Sequence, residues 1–405
     1  MPRDPLRATS RSRRAHCGFL ILSVSLILAT TLVPGRAADS TSAACVICGE
    51  RGIADAILNV LLFAPLGIAL SLSSWSGRRL YLLGALLSSS IEFVQLFIPG
   101  RDPSVGDVLF NLLGVAAGVL VTRSAARWLL PGRRQASRLS LAAAVAAVAV
   151  FALSGILLAP SFPESVYYGQ WTPNLGHLEW YRGRVLAAEL GPVTLPGRRL
   201  EESDSVRSLL SEGAPLRVLA IAGPRSRRLA SLVSIYDVQQ REIVLLGPDR
   251  DDLVYRYRTR AAALRLDQPD LRLSNAMRRV APGDMLEIAV RRAPGGRCIS
   301  LDHARACNIG FGVGSGWALL LYPEGVPVWV RMLLSAGWVA ALAVPVGFWS
   351  RRQWGTVLAT GVLAGGLVIV PWATALATVT VVEVLGGVVG LLGGALLHRY
   401  VRSRW

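Results

Sequence analysis

The chain has 405 residues, 52% of them hydrophobic, and a mean hydropathy of +0.46. Its apolar runs are far longer than a soluble core helix needs, so the expected class is a polytopic α-helical membrane protein. A net charge of +17 would point to nucleic acid in a soluble protein, but the arginines cluster between apolar runs, where they act as topology signals and no nucleic-acid partner is expected; lysine is absent, which excludes a Walker P-loop, a Schiff-base lysine and a Ser-Lys dyad.

In chain order, apolar segments lie near residues 17–33, 53–74, 79–98, 105–122, 139–160, 326–348, 354–373 and 375–397. Most are about 18–23 residues long, enough to cross ~30 Å of hydrocarbon, so about eight transmembrane helices are predicted. The last two are predicted to be joined by a tight turn at Pro371 and Trp372. Basic clusters alternate: Arg3, Arg7, Arg11, Arg13 and Arg14 precede the first segment, Arg78 and Arg79 follow the second, and Arg123, Arg127, Arg133, Arg134 and Arg138 follow the fourth. Arg351 and Arg352 follow the sixth, and Arg399, Arg402 and Arg404 the eighth, leaving only Arg36, Arg51 and Arg101 in the opposite short loops. With basic clusters inside, both termini are cytoplasmic and residues 161–325 are extracytoplasmic. The first segment has a basic start and a small-residue exit at Gly35-Arg36-Ala37, so it reads as a retained helix or as a cleaved signal peptide.

Cys45 and Cys48 form a C-x-x-C in the first outer loop, and Cys298 and Cys307 bracket a turn in the outer region. Two even pairs on the oxidising side predict two disulfides, with Cys17 left over. No metal site and no cofactor are expected, because zinc would need a second C-x-x-C or paired histidines; His16, His177, His303 and His398 are scattered singly.

From Leu216 to Pro323, short runs such as "LRVLAIAG", "LASLVSIYD", "REIVLLGP", "DMLEIAVRR", "CISLDHARAC" and "WALLLYP" are separated by turn residues, as in an all-β sandwich. In "DLVYRYRT" the side chains of Leu253, Tyr255 and Tyr257 share one face and Arg256 and Arg258 the other, the pattern of a half-buried antiparallel strand. The strand order resembles the laminin-G or concanavalin A-like jelly roll, which implies glycan or protein binding on a sheet face or loop edge. Asp249, Asp251 and Asp252 read as a solvated turn rather than a calcium site.

The polar residues in the apolar segments are the notable feature. Asp55 and Asn59, Asp107 and Asn111 are spaced i, i+4, and Glu92 and Gln95 i, i+3, so each helix presents one polar stripe near the outer leaflet, where the stripes can converge on Arg101. "NVLLFAPLGIAL" followed by "SIEFVQLFIPGRDPSVGDVLFNLLGVAAGVL" resembles the VanZ-like family of small bacterial membrane proteins, through Asn59, Phe63, Pro65, Gly67, Glu92, Gln95, Arg101, Asp107, Asn111, Gly114 and Gly118. The resemblance covers residues 45 to about 123 and implies a cell-envelope role in the bacterial cytoplasmic membrane. Pro65, Gly67, Gly114 and Gly118 read as kink and close-packing residues. Glu383 is alone in the last segment, able to join the polar cluster or face a water-filled gap.

The resulting organisation is a cytoplasmic tail and first segment (1–44), a VanZ-like unit (45–123), a loop and fifth helix (124–160), an outer sandwich (161–325) and three C-terminal helices (326–405). The preferred function is non-enzymatic recognition of a membrane-lipid or cell-wall headgroup by Asn59, Glu92, Gln95, Arg101, Asp107 and Asn111, with Arg101 taking an anionic group. An intramembrane enzyme with Glu92 as general base, a transporter, and a purely structural interhelical network are the alternatives.

Overall fold

A computed structural model of the chain describes residues 10–34, 45–73, 77–176, 178–302, 304–323, 325–350, 354–374 and 376–404. The Gly35-Arg36-Ala37 exit, Arg3, Arg7, His177, His303, Arg351 and Arg352 lie outside the described residues, as do the side chains of Arg11, Arg13, Arg14 and Arg404. The chain divides into two compact units, Met1–Pro131 and Gly132–Trp405.

The first unit contains α1 (Ser10–Thr31), α2 (Gly52–Leu72), α3 (Arg78–Gln95), α4 (Val105–Arg123) and the single turn α5 (Ala125–Trp128). Phe63, Leu66, Leu70, Leu80, Ile91, Val115 and Val119 from α2, α3 and α4, with Ile27 of α1, form its core. The α2–α4 crossing rests on glycine. A Cβ on Gly114 would lie 2.5 Å from the Val60 carbonyl, one on Gly118 would strike the Ala64 carbonyl, and one on Gly67 the Val115 carbonyl. Such backbone approach supplies the dispersion contacts that drive association where lipid tails are as apolar as the side chains. Pro65 sits inside an unbroken α2. Cys45 and Cys48 are disulfide-bonded, and their loop packs on the helix starts, with Ile47 against Gly52 and Val46 against Gly106.

The second unit contains α6 (Arg133–Leu158), α8 (Val328–Phe348), α9 (Trp354–Ala373) and α10 (Val381–Arg404), with a β domain between α6 and α8 in the chain. α8 and α10 form a second glycine-mediated pair. Added Cβ atoms on Gly386, Gly390 and Gly394 would strike the carbonyls of Ala336, Ala340 and Val344, and one on Gly347 that of Leu391. The predicted tight turn at Pro371 and Trp372 is corrected. α9 runs through both to Ala373, because a proline two residues before a helix end leaves most of the ladder intact, and the connection comes after it.

Each of the eight apolar segments overlaps a helix, although residues 96–98 and 376–380 of the third and last lie outside α3 and α10. Six helices, α2, α4, α6, α8, α9 and α10, are long and apolar enough to cross a membrane. The helix α3 is only 18 residues long and carries Arg78, Arg79 and Glu92, too many charges for that length, and the described apolar stretch of α1 is the shorter His16–Thr31.

The β domain is an antiparallel sandwich with one helix, α7 (Ser203–Glu212). One sheet has the order β1-β5-β6-β7-β8, from Tyr167–Trp171, Val233–Asp237, Glu242–Asp249, Asp252–Tyr257 and Leu271–Leu273. The other has the order β11-β10-β9-β4-β2-β3, from Ala304–Ile309, Gly296–Leu301, Met285–Ala293, Leu216–Ile221, Arg184–Leu190 and Val193–Thr194. Two sequence expectations change. "WALLLYP" contributes to a 3₁₀ turn, Val313–Leu319, and not to a strand: the N–H groups of Leu320 and Leu321, which a ladder would use, donate back to the Trp317 carbonyl, and that of Tyr322 donates to the Asp267 carboxylate. β7 is buried on both faces, since Val254 packs with Leu178, Leu229 and Leu245 opposite the Tyr255–Tyr257 side. Cys298 and Cys307 are disulfide-bonded across β10 and β11.

Charge is buried inside this domain. Arg272 on β8 donates to both Asp270 oxygens, at 2.8 and 2.9 Å, and to Asp249 at 2.6 Å. Arg256 lies 3.7 Å from Asp270 and from Glu242, and the Tyr322 hydroxyl donates to Asp270 at 2.5 Å. Asp249 is therefore not in a solvated turn, as expected from its sequence neighbours, but is 3% exposed and paired with Arg272. Asp251 pairs with Arg225, and Asp252 accepts from the Asn275 N–H. Burial pushes the Asp270 carboxyl up, but the charge and hydrogen bonds of Arg272, with Arg256 and Tyr322, outweigh it and hold the group below the ordinary aspartate value.

Two predictions follow from this packing. Gly390→Ile has no room against the Ala340 backbone and destabilises the purified protein by about 1–3 kcal/mol, seen as a fall in Tm, whereas Leu392→Ala on the exposed side of α10 leaves Tm nearly unchanged. Because the Asp270 value is depressed by folding, its contribution is complete at neutral pH and is lost as pH falls from the unfolded value of about 3.9 through the folded one. Asp270→Asn removes that acid-dependent part and costs about 3 kcal/mol at pH 7, measurable as a flatter acid limb in fluorescence-monitored unfolding.

Candidate functional site

The site is built where α3 ends and α4 begins. Ser104 caps α4: its Oγ accepts from the Asp107 N–H at 3.0 Å and donates to the Asp107 carboxylate at 3.0 Å. Within a single chain segment a capping box would have the third residue of the helix reach back to the cap's own N–H. Here that N–H is taken from across the bundle, since Ser104 N–H donates to Glu92 Oε2 of α3 at 3.0 Å. The Asn59 amide of α2 donates to the other Asp107 oxygen at 2.6 Å. Three helices thus meet through Asn59, Glu92, Ser104 and Asp107.

One turn further along α4, Asn111 is 3% exposed and donates to Ser88 Oγ at 2.9 Å, while its Oδ1 finds no hydrogen-bond partner among the described residues. It forms a separate layer behind the carboxylates. Gln95 and Arg101 turn the other way, toward the end of α1. The Gln95 amide donates to the Thr31 carbonyl at 2.9 Å, and Arg101 donates from Nε to Val33 at 2.8 Å and from Nη2 to Thr30 at 3.0 Å. Thr30 and Thr31 are in the last turn of α1, where a helix C-terminus leaves carbonyls without an internal partner, and Val33 lies just beyond it; a cation there also complements the helix dipole.

The six expected residues therefore occupy one end of the four-helix unit but not one cluster. Asn59, Glu92 and Asp107 are brought together; Asn111 lies behind them; Gln95 and Arg101 hold α1. Arg101 stays within electrostatic reach of both carboxylates, and the two carboxylates are within reach of each other. Asp55 does not join, being exposed and 4.0 Å from Arg51 one turn earlier. Ser104 is the residue that the sequence reading missed, and its signal was local: Ser-x-x-Asp before an apolar run is a helix-start pattern.

Chemically, the partly exposed face offers acceptors. Both Asp107 oxygens are occupied, whereas Glu92 Oε1 accepts no hydrogen bond from the described residues. No group of three or more His, Cys, Asp and Glu side chains that could hold a metal ion occurs among the described residues. Glu383 is used within the second unit: Oε1 accepts from Gly314 N–H at 2.7 Å, and Oε2 from the Thr380 N–H and hydroxyl at 2.8 and 3.0 Å.

Comparison with known proteins gives one match. Residues 9–129 match a family model described as VanZ/LLP1, under a third of the 405-residue chain. No curated protein and no solved structure matches. The matched segment includes every residue of the polar network, and the sandwich lies outside it.

Ser104→Ala removes the α4 cap together with a donor to Asp107, so the purified protein loses about 1 kcal/mol, read as a lower Tm. Ser104→Thr, which keeps the hydroxyl, restores most of it.

Proposed function

We propose that the chain is a non-enzymatic, VanZ-like protein of the bacterial cytoplasmic membrane that recognises a lipid or cell-wall headgroup at the outer leaflet. The observation that carries this reading is the Glu92–Ser104–Asp107–Asn59 network, in which three helices fix two neighbouring carboxylates and no described residue donates to Glu92 Oε1. Fixing acceptors by helix caps and an amide keeps them in position before a ligand arrives, which lowers the ordering cost of binding. Two acids beside one guanidinium whose Nε and Nη2 are already bonded favour a ligand presenting hydroxyl or amine donors, with Arg101 contributing charge to any neighbouring anionic group.

In this reading both termini are cytoplasmic, α1 and α3 span the membrane together with α2, α4, α6, α8, α9 and α10, and the sandwich is extracytoplasmic, as the arginine distribution favours. The laminin-G or concanavalin A-like pattern of the sandwich supports glycan or protein binding outside. An intramembrane enzyme is the second reading, favoured by one observation: two carboxylates within electrostatic reach of each other, one with an open oxygen that could accept a proton.

The decisive variant is Glu92→Gln, whose side-chain oxygen can still accept from Ser104 N–H. With a fluorescent lipid-linked sugar and purified protein, recognition predicts binding weakened about tenfold, roughly 1.4 kcal/mol, at an unchanged Tm. Release of product from the labelled lipid by wild-type protein establishes the enzyme reading. If Glu92→Gln and Arg101→Ala lower only Tm and leave binding intact, the network is structural and the proposal is wrong.

A further inference from the structure

The second unit contains a cavity of about 860 Å³ between the β domain and the end of α9. Its two walls differ in chemistry. On the sandwich side, Arg260, Arg292 and Arg297 line it, and no aspartate or glutamate does among the described residues. On the helix side, Leu367, Val368, Pro371 and Trp372 line it; Val368 and Trp372 are 66% and 88% exposed, on a helix apolar enough to cross a membrane.

The cationic wall is held open. Arg297 lies over the rings of Tyr255 and Tyr257, 5.3 and 5.0 Å from their centroids, a contact that fixes the guanidinium without neutralising it. Arg292 packs against Gly213, where a Cβ would lie 2.9 Å from its Cδ, and among the described residues donates to a backbone carbonyl, that of Glu212 at 3.5 Å, and to no side chain. The two walls are tied together by the chain after α9, where Ala377 N–H donates to the Phe311 carbonyl at 2.8 Å.

We infer that this cavity binds the phosphate headgroup of an anionic phospholipid, with an acyl chain along the exposed face of α9. Three arginines without a carboxylate partner among the described residues call for an anion with several acceptor oxygens, which phosphate provides. A free anion would leave the Val368–Trp372 wall against water, whereas an amphiphile satisfies both surfaces, and a tryptophan at a helix end suits the boundary between headgroup and hydrocarbon. This site is independent of the network around Glu92.

The test uses full-length protein in detergent and native mass spectrometry, with dioleoyl phosphatidylglycerol and dioleoyl phosphatidylcholine as probes. Wild-type protein retains phosphatidylglycerol in preference to phosphatidylcholine. The exposed pair Arg260→Glu/Arg292→Glu lowers that retention at least about tenfold, while Arg217→Glu/Arg305→Glu, outside the cavity lining, does not. Trp372→Ala weakens retention without changing headgroup preference. The inference is overturned if the cavity pair retains the lipid as wild type does, if both charge-reversed pairs lose it equally, or if phosphatidylcholine is held as well. Displacement of the lipid by millimolar inorganic phosphate would also overturn it, identifying the occupant as a free anion.

Discussion

A helix end has backbone groups without internal partners, and near hydrocarbon there is little water to supply them. This constraint organises the polar residues of both units. The Ser104 N–H is received by Glu92, and the carbonyls at the end of α1 receive Gln95 and Arg101. In the second unit Glu383 accepts from Thr380 at the start of α10 and from Gly314 in the 3₁₀ turn. Carboxylates that composition alone marks as functional candidates thus hold helix ends in place. Glu92 still combines that duty with an open oxygen; Glu383 has bonds to both.

The helices were legible because a long apolar run has few other ways to satisfy its backbone. α3 was the difficult case, since Arg78, Arg79 and Glu92 leave its 18 residues short of a plain spanning pattern. The strands from Leu216 onward were legible in part through alternation and branched residues, but β1 "YYGQW" and β2 "RVLAAEL" contain glycine, alanine and glutamate, which carry weak strand signal, and they form only because β5 and β4 offer paired edges. At the site, the spacing of Glu92, Asp107 and Asn59 was enough to place them on helix faces. That Arg101 would turn to Thr30 and Val33 was not readable, because it depends on where the α1 carbonyls lie in space.

The sandwich depends on a different kind of burial. Arg272, Asp249, Asp270 and Tyr322 exchange hydrogen bonds in its interior, and Tyr322 also accepts a long bond, 3.5 Å, from Arg331 on the first turns of α8. Desolvated charges of this kind stabilise only as a complete set, since removing one member leaves the others unpaired. The network therefore couples the order of the β domain to the position of the helix that follows it.

The margins of the two sheets carry a consequence for how the sandwich meets other molecules. β3 and β8 are two and three residues long, too short to template another strand. β11 is clipped to β10 by the Cys298–Cys307 disulfide, and the outer side of β1 is occupied by the Arg198–Leu200 segment, through Gly169 N–H to Arg198 and Leu200 N–H to Tyr167. Unpaired strand margins invite chain-to-chain addition and aggregation. With these margins shortened, fastened or covered, association through backbone ladders is disfavoured, and encounters are directed to side chains on the sheet faces and loops.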